Sequence, residues 1–200
     1  MDLSKFVSEV RGHIRDTGSA PVFKYAIPET DTEPATPDEI EQFVKQAVHD
    51  YSGWKPNHGK RGKLPISAGI DEYQLPSDFI RMEDFMPPHR VSGRILYLNK
   101  QPYHDTEITF FYTAMHQPET IPEYDTPAVT WLAASLALKA VMGDPNRLDQ
   151  YISYDIDEVF SLNTENLTEA TLYIAKASEQ FEKQYLQRME GRSKPILSFG

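Results

Sequence analysis

Six histidines stand at positions 13, 49, 58, 89, 104 and 116. No two take the HExxH or HxH spacing that aims a pair of imidazoles at one metal ion. The chain has no cysteine, which excludes thiol catalysis, thiolate metal sites and a disulfide scaffold. Its ten glycines never assemble as GxGxxG or a Walker A loop, so nothing cradles a phosphate. No GxSxG marks a serine nucleophile. Paired carboxylates for glycoside chemistry are a property of the fold, and nothing singles out two of the thirty acids. "YDIDE" at 154–158 alternates acids as a calcium loop does, but it lacks the glycine and terminal glutamate of an EF-hand. A solvated acidic turn is the expectation there. No catalytic residue, cofactor or metal site is predicted, and the chain reads as a non-enzyme.

Two other features carry chemistry of recognition. "KPNHGKRGK" gathers Lys55, Lys60, Arg61 and Lys63 among glycines, which predicts a flexible basic loop. Such a loop is either a solvated surface or a finger that touches phosphate or an acidic partner. Trp54 stands beside it without interleaved aromatics, so a stacking platform for single strands is not expected. The C-terminal "KPILSFG" places Ile196, Leu197 and Phe199 after Pro195, which blocks further helix. Burying a Leu or Phe is worth about 1.5–3 kcal/mol each, enough to anchor an extended tail in a partner's groove or at a sheet edge. Folding back onto its own subunit serves the same residues equally well.

A chain of 200 residues suits one domain, or one with a smaller inserted lobe. A 40% hydrophobic content supplies a core. The net charge of −10 falls mainly on the second half, which makes tight duplex binding a poor fit. The amino-terminal segment lacks a signal peptide's continuous apolar core. The uncharged run from Thr126 to Leu138 is shorter than the roughly 20 residues of a membrane span, so a soluble protein made in a reducing cytoplasm is expected.

Apolar spacing predicts helices over about 3–16, 37–51, 127–142 and 166–190. The first places Leu3, Phe6, Val7, Val10 and Ile14 on one apolar stripe. The second carries a predicted capping box, Thr36 with Glu39, and Pro37 at its first position. The third is greasy on nearly all sides and is therefore the central helix, capped by Thr126 and stopped at Gly143. The last has a heptad-like seam, Leu167, Ala170, Ile174, Ala177, Phe181, Gln184 and Arg188, whose polar end predicts final turns that project from the body. Between them, residues 71–114 alternate as three or four antiparallel strands. The fold class is α+β, mainly α. It is a helical bundle around a central apolar helix, with a small antiparallel β insertion and an extended tail over 191–200. Residues 1–190 are expected as a single domain.

The order of these pieces is familiar. "TPDEIEQFVKQAVHDY", then "YQLPSDFIRM", then "ITFFYTA…IPEYDTPAVTWLAASLALKAV" and a last long helix resemble the head–tail connector (adaptor) proteins of tailed bacteriophages. The similarity covers most of residues 1–190. Tyr73-x-Leu75-Pro76-x-Asp78-Phe79, Tyr112 and Ile121-Pro122-x-Tyr124 carry it most clearly. The resemblance implies a virion structural protein of the neck, between head and tail. It would form an oligomeric ring, commonly a dodecamer, that binds the portal protein and receives tail or neck proteins. The ring would extend and seal the channel, letting DNA pass without sequence-specific binding. The alternative is a small peptide- or glycan-binding accessory module using the β lobe, whose site Tyr97, Tyr103, Phe110 and Tyr112 could line, although alternation buries about half of them as core.

Overall fold

Helix α1, Leu3–Ile14, forms where the apolar stripe predicts it. Asp2 caps it by accepting from the Lys5 amide at 2.9 Å. Arg15, at φ 59°, ends it. The computed structural model describes residues 1–17, 21–29, 34–153 and 167–191. Gly18 (expected to end this helix), "YDIDE" and the "KPILSFG" tail therefore lie outside the described residues. Over what is described, the chain is α+β and separates into two compact units. A helical unit comprises Met1–Val48 and Ile121–Gly200, and a β unit, His49–Thr120, is inserted between them.

In the helical unit, α2 (Glu41–Trp54) starts later than the predicted capping box requires. Thr36 is drawn instead into an antiparallel bridge with Ile27, their amides and carbonyls exchanging bonds of 2.9 and 3.0 Å. Glu39 accepts from the Lys24 amide, and Asp38 takes the capping part by accepting from the Ile40 amide at 2.8 Å. Ile40, Phe43, Val44, Ala47, Val48 and Tyr51, spaced by three and four, are nevertheless all inside. The chain passes into the β unit within this helix.

Helix α3, Thr126–Gly143, is the core helix, buried on almost every side. Thr126 is its first residue and donates to the Glu123 carbonyl, while Asp125 holds the cap position. Glu123–Gly143 is long and apolar enough by composition to cross a bilayer, yet 61% of its most apolar window is buried inside the protein. A short helix, α4 (Pro145–Tyr151), follows, capped by Asp144. Helix α5, Leu167–Glu190, packs along α3. The Ser135 and Ser178 hydroxyls meet at 3.0 Å in that buried contact. The final turns do not project. The buried line runs Ala170, Ile174, Ser178, Tyr185, Met189, because a straight helix of 3.6 residues per turn drifts off a strict heptad. At its end Arg188 meets Asp125, which is only 1% exposed, at 3.3 Å.

The β unit holds two three-stranded antiparallel sheets rather than one small sheet. Their strands are β1 (Asn57–Ile66), β2 (Glu72–Gln74), β3 (Phe79–Asp84), β4 (His89–Ser92), β5 (Ile95–Leu98) and β6 (Thr106–Ala114). The orders are β1-β6-β3 and β2-β5-β4. Leu64, Ile66, Tyr73, Leu75, Phe79, Phe85, Leu96, Leu98, Phe110 and Tyr112 make one core from both. The inserted unit begins well before residue 71 because β1 pairs with β6, Leu64 opposite Ile108 and Gly62 opposite Phe110. β1 hides from sequence patterning because it is an edge strand. Its lysines, glycines and Pro65 are the residues that discourage further strand pairing.

Candidate functional site

In the β unit, two polar clusters flank β6. Asp78 is buried and accepts from the Tyr112 hydroxyl at 3.1 Å and from the Lys60 ammonium. The hydrogen bond to Asp78 raises the Lys60 pKa, so its amine stays protonated. Burial raises the Tyr112 phenol. Neither group is a nucleophile in this state. On β6, the neighbouring Thr113 hydroxyl donates to Glu83 at 2.6 Å, while His58 Nδ1 lies 3.0 Å from the same carboxylate oxygen. The Gly59 amide donates to the other oxygen at 3.0 Å. The bond from Thr113, followed by that from His58, holds the Glu83 carboxyl below its usual range. A hydroxyl–His–carboxylate relay needs one imidazole nitrogen on each neighbour. Here Nδ1 faces both Thr113, at 3.3 Å, and Glu83, and the hydroxyl proton goes to the acid. The three side chains tie β1, β6 and β3 together. Among the described residues, no group of three or more His, Asp or Glu could hold a metal ion.

The predicted basic residues are not a flexible loop. Lys60, Arg61 and Lys63 stand on strand β1, and Lys55 follows the last turn of α2. The alternation of β1 splits them. Lys60 turns toward Asp78, and Lys63 pairs with Glu107 at 2.7 Å. Arg61 is opposite Phe111 on the outer face. Tail residues Ile196, Leu197 and Phe199 lie outside the described residues. Of the four aromatics of the β lobe, half are buried, as their alternation requires. Phe110 and Tyr112 are core, and Tyr97 lies under Arg90. Tyr103 is 96% exposed.

The helical unit carries a cleft that sequence reading missed. Its floor is Arg11, 3% exposed, which reaches Asp16 at 2.5 Å and Asp38 at 2.9 Å. The same guanidinium donates to the Phe23 and Lys24 carbonyls, both at 3.1 Å. The Tyr25 ring covers it at 3.9 Å. Ser4, Val7, Ser8, Tyr25 and Glu41 line the open cleft beside it, of about 340 Å³. Desolvation raises the Asp16 carboxyl, against hydrogen bonds from the Val22 and Phe23 amides and the charge of Arg11. One signal was there to read. Arg11 stands on the apolar stripe of α1, four residues after Val7 and three before Ile14, where a charge must find buried partners. The lining of the cleft sets the apolar surface of Val7, Tyr25 and Ala26 beside the Glu41 carboxylate, which Lys45 pairs at 2.8 Å. It offers no activated nucleophile. No protein-family model matches the chain, and no curated protein matches it.

Proposed function

We propose that this chain is a structural adaptor of a tailed-bacteriophage virion, forming a ring between portal and tail that extends and seals the DNA channel. One observation carries the reading. Most residues of the connector resemblance serve packing within their own unit, Tyr124 at 58% exposure being the exception, and packing is the role such punctuation has in a structural family. The Tyr73 hydroxyl holds the turn before β2, donating to the Ile70 carbonyl at 2.7 Å. Leu75 and Phe79 are core, and Phe79 stacks on Tyr112 with ring centroids 5.8 Å apart. The Asp78 carbonyl accepts from the Met115 amide at 2.7 Å, and its carboxylate anchors Tyr112. Ile121 is buried at the approach to α3.

Charge supports the same reading. Residues 49–120 hold 8 basic and 9 acidic side chains, a net −1, while the rest of the chain holds 12 and 21, a net −9. A wall built from the helical unit repels phosphate, so DNA passes without adhering. Quantitative mass spectrometry of gradient-purified particles tests the proposal by counting this chain against the portal subunit. A ratio near one to one is expected, and absence of the chain from the particles would overturn it.

A further inference from the structure

The β1-β6-β3 sheet turns one face inward, with Phe110 and Tyr112 in the core, and leaves the other open. Successive side chains of a strand point to opposite faces, so Phe111 stands on the open face of the middle strand, 41% exposed. Arg61 of β1 pairs with it on one side and Asp84 of β3 on the other. Both side chains are exposed, and neither has a hydrogen-bonding or ionic partner among the described residues. This row therefore carries opposite charges on either side of an aromatic centre. The next row repeats the pattern in reverse. Arg81 of β3 lies opposite Thr113, while the Glu83 carboxylate reaches to the β1 side, meeting His58 and the Gly59 amide at 3.0 Å each. Lys63 and Glu107 neutralise each other at 2.7 Å. The face as a whole is balanced, Arg61, Lys63 and Arg81 against Glu83, Asp84 and Glu107.

We propose that this open face is the interface of a two-fold dimer, on which the same sheet of a second copy of this chain packs. The charge pattern selects that occupant. Two sheets pack face to face about 10 Å apart with their strands nearly aligned. With the two-fold axis along β6, Phe111 meets Phe111, β1 of each copy lies over β3 of the other, and Arg61 faces Asp84 twice. Arg81 then comes over the side to which Glu83 reaches. An axis across the strands would set Arg61 on Arg61 and Asp84 on Asp84, so the charges fix the orientation too. In an isologous contact residue i meets j and j meets i. Opposite charges on either side of an aromatic are what one patch needs to complement itself. Net charge agrees, since two β units bring −1 against −1, less repulsion than any pairing that involves the −9 of the remaining chain. The inference does not depend on the virion reading, because a cyclic ring is built from heterologous contacts and this contact is isologous.

The test uses full-length chains in sedimentation and native mass spectrometry. Three strands make a small patch, for which a dissociation constant on the order of 10–100 μM is expected, so the series extends to about 500 μM. Arg61→Asp, Asp84→Arg and Phe111→Ser all alter exposed positions, and circular dichroism checks that each variant folds. The unaltered chain is expected to dimerise, and each variant to do so at least tenfold more weakly. In the Arg61→Asp dimer acids face acids, and in the Asp84→Arg dimer cations face cations. An equimolar mixture of these two is expected to form a heterodimer as tight as the original, because both charge pairs are then restored with their signs exchanged. An unaltered chain that stays monomeric, a single variant that dimerises like it, or a mixture that forms no heterodimer overturns the inference. Counting the chain in particles tests the virion reading separately, and neither result decides the other.

Discussion

Replacing Arg11 with methionine keeps the length of the side chain and removes its charge. It leaves Asp16 and Asp38, 0% and 7% exposed, as buried carboxylates without their cation, and it orphans the Phe23 and Lys24 carbonyls. Removing one partner of a buried ion pair costs about 3–5 kcal/mol, or roughly two to four powers of ten in the folding equilibrium. Little cavity loss is added, because methionine fills much of the same volume. Urea denaturation of the full chain measures the loss. Trp131 reports the helical unit in a Trp54→Phe background, since the chain has only these two tryptophans. The pH dependence carries a sign. Burial raises the Asp16 carboxyl, so the folded state holds its proton more tightly than the unfolded state does. The cost of ionising it is absent below the unfolded pKa and grows as pH climbs through the folded value. Arg11 opposes that rise, so without it the carboxyl moves further up. The deficit of the variant must therefore shrink on acidification. A loss below about 1 kcal/mol, or one equal at about pH 5 and about pH 7.5, refutes the reasoning. Adding Asp16→Asn and Asp38→Asn to Arg11→Met should recover most of the stability.

Other expectations are quicker to state. In Gly62→Ala the new Cβ would stand 2.5 Å from the Phe110 ring, which has no room to retreat. Overpacking outweighs the gain in strand propensity, for a net loss of about 1–2 kcal/mol, and Phe110→Leu in the same chain should relieve it. Met189→Ala should cost about 2–5 kcal/mol; a loss near zero would mean that the last turns of α5 are not packed after all. Thr113→Val removes the largest cause of the lowered Glu83 carboxyl, so its titration followed by NMR should move upward. The stability it contributes, present above the ordinary carboxylate range and lost as pH falls through the lowered value, should then disappear at a higher pH. A Glu83 midpoint that stays in place would show that the hydroxyl does not set it.

Helix periodicity was legible because it is a local matter of which residues must leave water. Phe6, Val10 and Ile14 on α1 and the stripe of α2 are buried as their spacing requires. Starts and ends were less so, since they depend on rivals for the same hydrogen bonds. Thr36 offers a cap in isolation and is taken by Ile27 in the fold. β1 looks like a loop in sequence because lysines and glycines are poor strand formers, and its pairing with β6 is a contact across some fifty residues of chain. The β4–β5 hairpin was missed for a smaller reason. Its turn is only Gly93 and Arg94, with Ser92 opposite Ile95 and Gly93 at φ 60°.

By itself the sequence determined the α+β class, the central place of α3, the acidic balance and the lack of cysteine chemistry, because each follows from composition or from spacing within one element. Tertiary structure alone decided which charges meet. Lys60 faces Asp78, Arg11 joins Asp16 to Asp38, and Arg188 closes on Asp125. It also decided that Arg61 and Asp84 flank Phe111 on one open sheet face, and that Arg11 and Tyr25 floor a cleft. The physical reason is that a buried charge or a recessed surface is defined by partners far away in the chain. Sequence spacing records only the face on which a residue lies.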